Sequence, residues 1–213
     1  MRRTVAVLLF IGLFTLSSSV AVGATRQSIT IKAVVAQAGW ETFDENTGAG
    51  EFGVVEFATA ERRTTVALVV STGELIQCEG ASTPDDPTDD MYGFVGSETQ
   101  GEGPARLSVG KSYRSAVASG TVTAHVTTVN ECTGGSAVTT TTTIRIALEL
   151  TAIGPIIVQK SRTTIAIPRQ LRSKTFIQSS ARNAAGSLSV GARSIEAGGV
   201  IGTLSLRASQ VQR

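Results

Sequence analysis

The sequence predicts an all-β fold, an antiparallel β-sandwich or a barrel-like meander, and three features carry that expectation. Several segments alternate apolar and polar residues with a period of two. The composition favours Thr, Val, Ala, Ser and Gly over aromatic residues, which suits half-buried pleated surfaces. No window sustains the i, i+3, i+4 apolar spacing of a capped helix. Short turn signals between the alternating segments predict about five to six strands in each of two pseudo-repeats, about ten to twelve in all.

Residues 1–24 stand apart from the fold. "MRR" is basic, "VAVLLFIGLFTL" is apolar and "SSSVAVGA" ends in small residues. Val22 and Ala24 fit a small-x-small cleavage pattern, so this segment reads as a signal peptide cut between Ala24 and Thr25. The apolar run is short for a membrane span, and no other stretch approaches the needed length. The expectation is a secreted protein (extracellular, periplasmic or on the cell surface) whose residues 25–213 form one all-β domain.

The strands follow in chain order. "SITIKAVV" sets Ile29, Ile31 and Ala33 against Thr30 and Lys32. The insert "WETFDENTGAGEFG" comes next, with "DENTG" as a hairpin turn. "AERR" at residues 60–63 has two readings. As a hairpin it is expected to send the two inserts of this half to opposite ends; as the middle of one bent strand over 54–70 it brings them together. The second insert, "ASTPDDPTDDMYGFVGSETQGEG", contains Pro84 and Pro87 and reads as a loop. "LSVGKSYRSAVAS" is expected to return as a strand and a "GT" turn to lead into "GTVTAHVTTV", where Val122, Ala124 and Val126 alternate with Thr123, His125 and Thr127. "TIRIALEL" alternates most cleanly, with Ile144, Ile146, Leu148 and Leu150 on one face. "GTLSLRAS" opposes Leu204 and Leu206 to Ser205 and Arg207.

Five blocks recur in order. "ITIKAVVAQAG" stands against "TTIRIALELTAIG", "ERRTTVALVV" against "KSRTTIAIPR" and "LIQCEG" against "FIQSSA". "LSVGKSYRSA" then matches "LSVGARSIEA", and "GTVTAHV" matches "GTLSLRA". This predicts pseudo-repeats over about residues 27–132 and 137–213, each burying its apolar face against the other.

Cys78 and Cys132 are the two cysteines, an even count that predicts a disulfide in a non-reducing compartment. Strand parity sends both to one end of the sheet, where the bond closes the long loop and contributes about 4 kcal/mol in the chain-entropy description.

Charge divides sharply along the chain. Residues 25–132 hold 7 Lys/Arg and 15 Asp/Glu, net −8, whereas residues 133–213 hold 10 and 2, net +8. One reading has the two halves attract each other. The other gathers Arg162, Arg169, Arg172, Lys174, Arg182 and Arg193 into a basic face for an anionic polymer, lipid headgroups or a protein partner. Nucleic acid is disfavoured, because Phe176 is the single aromatic residue of that half and no stacking platform is in view.

Other chemistry is thinner. Asp85, Asp86, Asp89 and Asp90 in "PDDPTDD" suggest at most a weak Ca²⁺ site, and no other cofactor is expected. His125 is the single histidine and no nucleophile elbow accompanies it, so no catalytic constellation is expected. One histidine and a bridged cysteine pair also fall short of a zinc ligand set. The inserts hold Trp40, Phe43, Tyr92 and Phe94, candidates for a ligand site or for covering the ends of the core. The leading expectation is a secreted or surface-associated, non-catalytic binding module. Alternatives are a small-ligand carrier with an apolar cavity and, more weakly, a Ca²⁺-dependent extracellular enzyme.

Overall fold

The computed structural model describes residues 26–78, 92–133, 137–167 and 171–212. Nine antiparallel strands make one sheet: β1 (Arg26–Phe43), β2 (Gly50–Ala60), β3 (Arg63–Gln77), β4 (Tyr92–Val109), β5 (Ser115–Asn130), β6 (Val138–Ala152), β7 (Ile157–Ile167), β8 (Leu171–Val190) and β9 (Arg193–Gln212). Their order is β6-β5-β4-β3-β2-β1-β9-β8-β7, and a further pairing of β6 with β8 closes the ring. Helical structure among the described residues is confined to two 3₁₀ turns, Lys111–Tyr113 and Glu131–Thr133.

Eight staves close this barrel, because β6 and β7 run on as one interrupted strand along the same edge of β8. Ala152 pairs with Ala184 and Ile157 with Ala181, so four residues of the β6–β7 side face two of β8. The surplus is taken up at Gly154-Pro155, where proline has no N–H to give a ladder. Partners followed once around the ring run Thr151, Ala185, Gly198, Gly39, Val54, Val69, Gln100, His125 and Thr141, so the circuit returns ten residues from its start. With ordinary strand rise and spacing, that stagger tilts eight strands by about 40° from the barrel axis.

Period-two alternation explains the filling. Ala36 and Ala38 of β1, Val55 and Phe57 of β2, and Val66 and Leu68 of β3 face inward and are fully buried, and Leu148, Leu188 and Ile201 meet them from the opposite wall. Charged residues such as Glu102, Arg106, Arg145 and Glu149 occupy the exposed outward phase. This is the reverse of a lipid-facing barrel, whose apolar residues point outward. Small inward residues on β1 and β5 let the larger ones interlock across a narrow interior, which is occupied by side chains.

The two ends of the barrel differ. The β1–β2 and β8–β9 turns, the end of β3 and the start of β4 lie at one end, called here the acidic end. The β2–β3 turn and the β4–β5 connection lie at the other, called the arm end. "AERR" is a two-residue hairpin in which Ala60 pairs with Arg63 across Glu61 and Arg62, both at positive φ. The described chain nevertheless leaves β3 and enters β4 at the same end as the first insert, contrary to the expectation for a hairpin: each hairpin reverses the chain, and β2 and β3 together bring it back to where β1 finished. The second insert also corrects in part. Residues 92–103 are strand, the first two thirds of β4, whose inward positions carry Ser97, Thr99, Gly101 and Gly103 in place of the usual apolar residues. The turn after "LSV" falls at Gly110–Arg114, with Ser112 and Tyr113 at positive φ, and "GT" at residues 120–121 lies inside β5.

The recurring blocks fall on the strands unevenly. "LSVG" ends β4 in one stretch and β8 in the other, each before a turn, and the "GT" blocks lie in β5 and β9. "RTTVAL" opens β3, however, whereas "RTTIAI" closes β7. The first stretch supplies five strands and the second four, nine rather than ten to twelve, because β8 and β9 each run on for 20 residues.

That length creates the second feature of the molecule. Past the barrel wall, the first part of β1, the last part of β9, the first part of β8 and all of β7 continue as a four-stranded arm in the order β1-β9-β8-β7. None of its residues whose exposure is described between 26–34, 157–167, 171–181 and 203–212 is buried, so the arm is a single layer with two uncovered faces.

Candidate anion-binding face

Antiparallel register decides which arm residues share a face, since directly opposed residues project to the same side. One row runs Arg162, Phe176, Arg207 and Thr30, and the next runs Lys160, Gln178, Ser205 and Lys32. Thr164, Lys174 and Ser209 make a third, and Arg182 stands opposite Ile201 where the arm meets the barrel. Six cations, Lys32, Lys160, Arg162, Lys174, Arg182 and Arg207, thus lie on one side of a four-stranded sheet. The strands that build it contain no Asp or Glu between 26–34, 157–167, 171–182 and 203–212. Two positions along a strand advance about 7 Å and neighbouring strands lie about 5 Å apart, so adjacent cations fall about 5–12 Å from one another, within reach of successive charges on a polyanion.

The electrostatics of this face are unbalanced. Among the described residues the one ion pair is Arg193 with Glu51, at the far end of the molecule. At the junction with the barrel, Arg182 Nε is buried and has no hydrogen-bond partner among the described residues. A buried donor left unpaired costs about 1–3 kcal/mol. Tyr113 closes the barrel beside it, its hydroxyl 2.9 Å from Thr203 Oγ1.

Of the residues marked in the sequence as a basic face, Arg162, Lys174 and Arg182 therefore come together. Arg172 pairs through its backbone with Ala166 and Val211 in the row beyond Lys174. Arg169 lies outside the described residues. Arg193 does not join them, because the β8–β9 turn carries it to the acidic end. The sequence reading missed Lys32, Lys160 and Arg207. Lys32 belongs to the acidic half of the chain, and only the pairing of β1 with β9 brings it over; Lys160 and Arg207 carried a signal in the alternation of their own strands. Phe176 sits between Arg162 and Arg207 in its row, an aromatic surface flanked by two guanidinium groups.

The acidic end has its own geometry. An open concavity of about 970 Å³ is lined by apolar residues such as Phe43, Val95, Val129 and Val138 together with the carboxylates Asp44, Glu51 and Glu74. Trp40 is 7% exposed and belongs to the core rather than to a ligand surface, its Nε1 donating to Glu51 Oε1 at 2.6 Å. Phe43 and Phe94 are 65% and 37% exposed, and the Phe94 ring lies across Gly73, where a Cβ would overlap it. Tyr92 pairs through its backbone with Gln77. Asp85, Asp86, Asp89 and Asp90 lie outside the described residues, and the described residues hold no group of three or more metal-ligating side chains. His125 is exposed on the outward phase of β5, beside Thr141.

Cys78 and Cys132 are disulfide-bonded, with Cα atoms 5.0 Å apart. The bond passes over β4 at Gly93, where a Cβ would meet both sulfur atoms at 2.8 and 2.9 Å, so the bridge ties β3 to the end of β5 across the strand between them. No helix among the described residues is long and apolar enough to cross a membrane. No protein-family model, curated protein or solved structure matches this chain.

Proposed function

We propose that the protein is a secreted, non-catalytic module that binds an anionic polymer along the basic face of its arm. The observation that carries this reading is the segregation of Lys32, Lys160, Arg162, Lys174, Arg182 and Arg207 onto one side of the arm, whose strand portions contain no Asp or Glu. Unneutralised like charges on one surface repel each other and destabilise the molecule that carries them, unless a counter-charged partner is the purpose of the array. An extended, four-stranded surface suits a chain lying across it better than a small ligand, which is held in a concave pocket. The packed barrel interior favours this reading over an apolar carrier. The leader-like residues 1–24 and the disulfide support export, since a structural disulfide persists in oxidising compartments.

Titration of the purified protein with heparin, a sulfated glycan, and with neutral dextran tests the proposal. Binding to heparin that weakens steeply as salt shortens the screening length, with none to dextran, is the expected result. Absence of heparin binding at low salt rejects it.

A further inference from the structure

The arm has a second face, and its character is the opposite of the first. Ser161, Ile177, Leu206 and Ile31 form one row across it, and Gln159, Ser179, Leu204 and Ala33 form the next. Ile157, Ala208 and Val35 extend the same side. Within the arm portions of the four strands no Lys, Arg, Asp or Glu occupies this phase; every charged residue of the arm falls in the other. Ile31, Ile177, Leu204 and Leu206 are half-buried, and Ile157 is exposed. A sheet with one apolar face is stable when that face is covered by a second layer, and here no described element lies over it.

We infer that this face is covered by the same face of a second copy of the chain, the two arms stacked as a two-layer β-sandwich with their basic faces turned outward. Three arguments choose that occupant. A lipid surface is disfavoured, because docking the apolar face on a membrane turns all six cations away from the headgroups. Head-to-tail docking of the arm on another copy's acidic end employs the charged face and leaves the apolar one bare. A twofold pairing of arms covers both apolar faces at once and keeps like charges a full two layers apart.

The area also suffices. Four strands spaced about 4.8 Å apart, with about nine residues each at a rise of about 3.3 Å, offer about 600 Å² per copy. The pair then buries about 1,200 Å², the lower bound of stable protein interfaces, with an apolar centre and a rim of uncharged Ser, Thr and Gln that resembles such interfaces in composition. The consequence for function is a dimer presenting two basic faces in opposite directions, able to join two polymer strands.

Sedimentation velocity of the purified protein over a concentration series tests this, and it reads assembly without reference to polymer, so it fails independently of the binding proposal. The expected result is a dimer that persists from about 0.1 M to about 1 M NaCl, where charged contacts are screened. Leu206→Glu is expected to shift the monomer–dimer midpoint at least tenfold towards monomer. Ile31→Thr/Ile177→Thr is expected to do the same while keeping β-branched residues that hold the strands. Trp40 fluorescence reports in each case that the barrel is intact. A monomer at every concentration overturns the inference. So does association that disappears at high salt, or a dimer unaffected in both variants.

Discussion

Arg193 and Glu51 meet across the mouth of the barrel, with Nη1 of the arginine 2.8 Å from both carboxylate oxygens. They lie 142 residues apart and come from the basic and acidic stretches of the chain, so this pair is where the two attract each other directly. Arg193 is 59% exposed, but Glu51 is only 15% exposed and also accepts the indole N–H of buried Trp40. The pair therefore matters less as a surface ion pair than as the acceptor for a core tryptophan.

Glu51 makes the stability of the protein depend on pH. Burial pushes its carboxyl up, but the hydrogen bond from Arg193, the Trp40 N–H and the Arg193 charge together hold it below its ordinary 4.5. A lowered folded value means stabilisation that is present above pH 4.5 and is lost as pH falls through the folded value. Glu51→Gln is expected to flatten the acid side of the Tm–pH curve, and the two curves should converge at the lowest pH. Glu51→Ala at pH 7 should cost about 1–3 kcal/mol, since it strips Trp40 of its acceptor. Thermal melts of both variants over pH 2–7 (a range of about five units) check this; parallel curves for Glu51→Gln would falsify it.

The bridge between Cys78 and Cys132 encloses a separation of 54 residues, for which the chain-entropy description gives about 4 kcal/mol. Cys78→Ser/Cys132→Ser should lower unfolding stability by about 2–4 kcal/mol in chemical denaturation, with the barrel still formed. Gly93→Ala should damage the same region by another route, because its Cβ meets both sulfurs and the strand beneath must move. In the double serine variant, Gly93→Ala should cost less than in the disulfide-bonded protein. Equal costs in the two backgrounds would show that the crowding at Gly93 is not the bridge's doing.

The hairpin between β2 and β3 is closed by two residues that fit it poorly. Glu61 and Arg62 have φ of 49° and 67°, a conformation that asparagine and glycine adopt with less strain. Glu61→Asn/Arg62→Gly should raise stability by about 1–2 kcal/mol, measured as a rise in Tm. No change, or a fall, would mean that these side chains make compensating contacts.

Strand chemistry was legible wherever inward positions were filled by Val, Ile or Leu, as in "TIRIALEL", all of which lies in β6. It was illegible in β4, because Ser97, Thr99, Gly101 and Gly103 take the inward positions there, and a strand of small polar residues and glycine reads as a loop. The disulfide followed from cysteine parity and is present. Arg193 misled because one-dimensional charge counting has no knowledge of which end a turn reaches. Lys32 was overlooked for the same reason, since its row is set by partners some 170 residues away in β9. Alternation did encode the basic face locally: every charge in β7 and in the arm portions of β8 and β9 falls in one phase, and barrel closure fixes which way that phase looks.

The most direct test of the central claim reverses charge on the arm and, separately, on the barrel. Lys160→Glu/Arg162→Glu/Lys174→Glu/Arg207→Glu removes four cations from the proposed polymer-binding face; Arg62→Glu/Arg106→Glu/Lys111→Glu/Arg145→Glu makes the same change in net charge elsewhere. With about 1 kcal/mol at stake for each contact, heparin affinity should fall at least about a hundredfold in the arm variant and stay within about threefold in the barrel variant. An equal loss in both would reduce the binding to net charge, and full retention in the arm variant would contradict the assignment of this face.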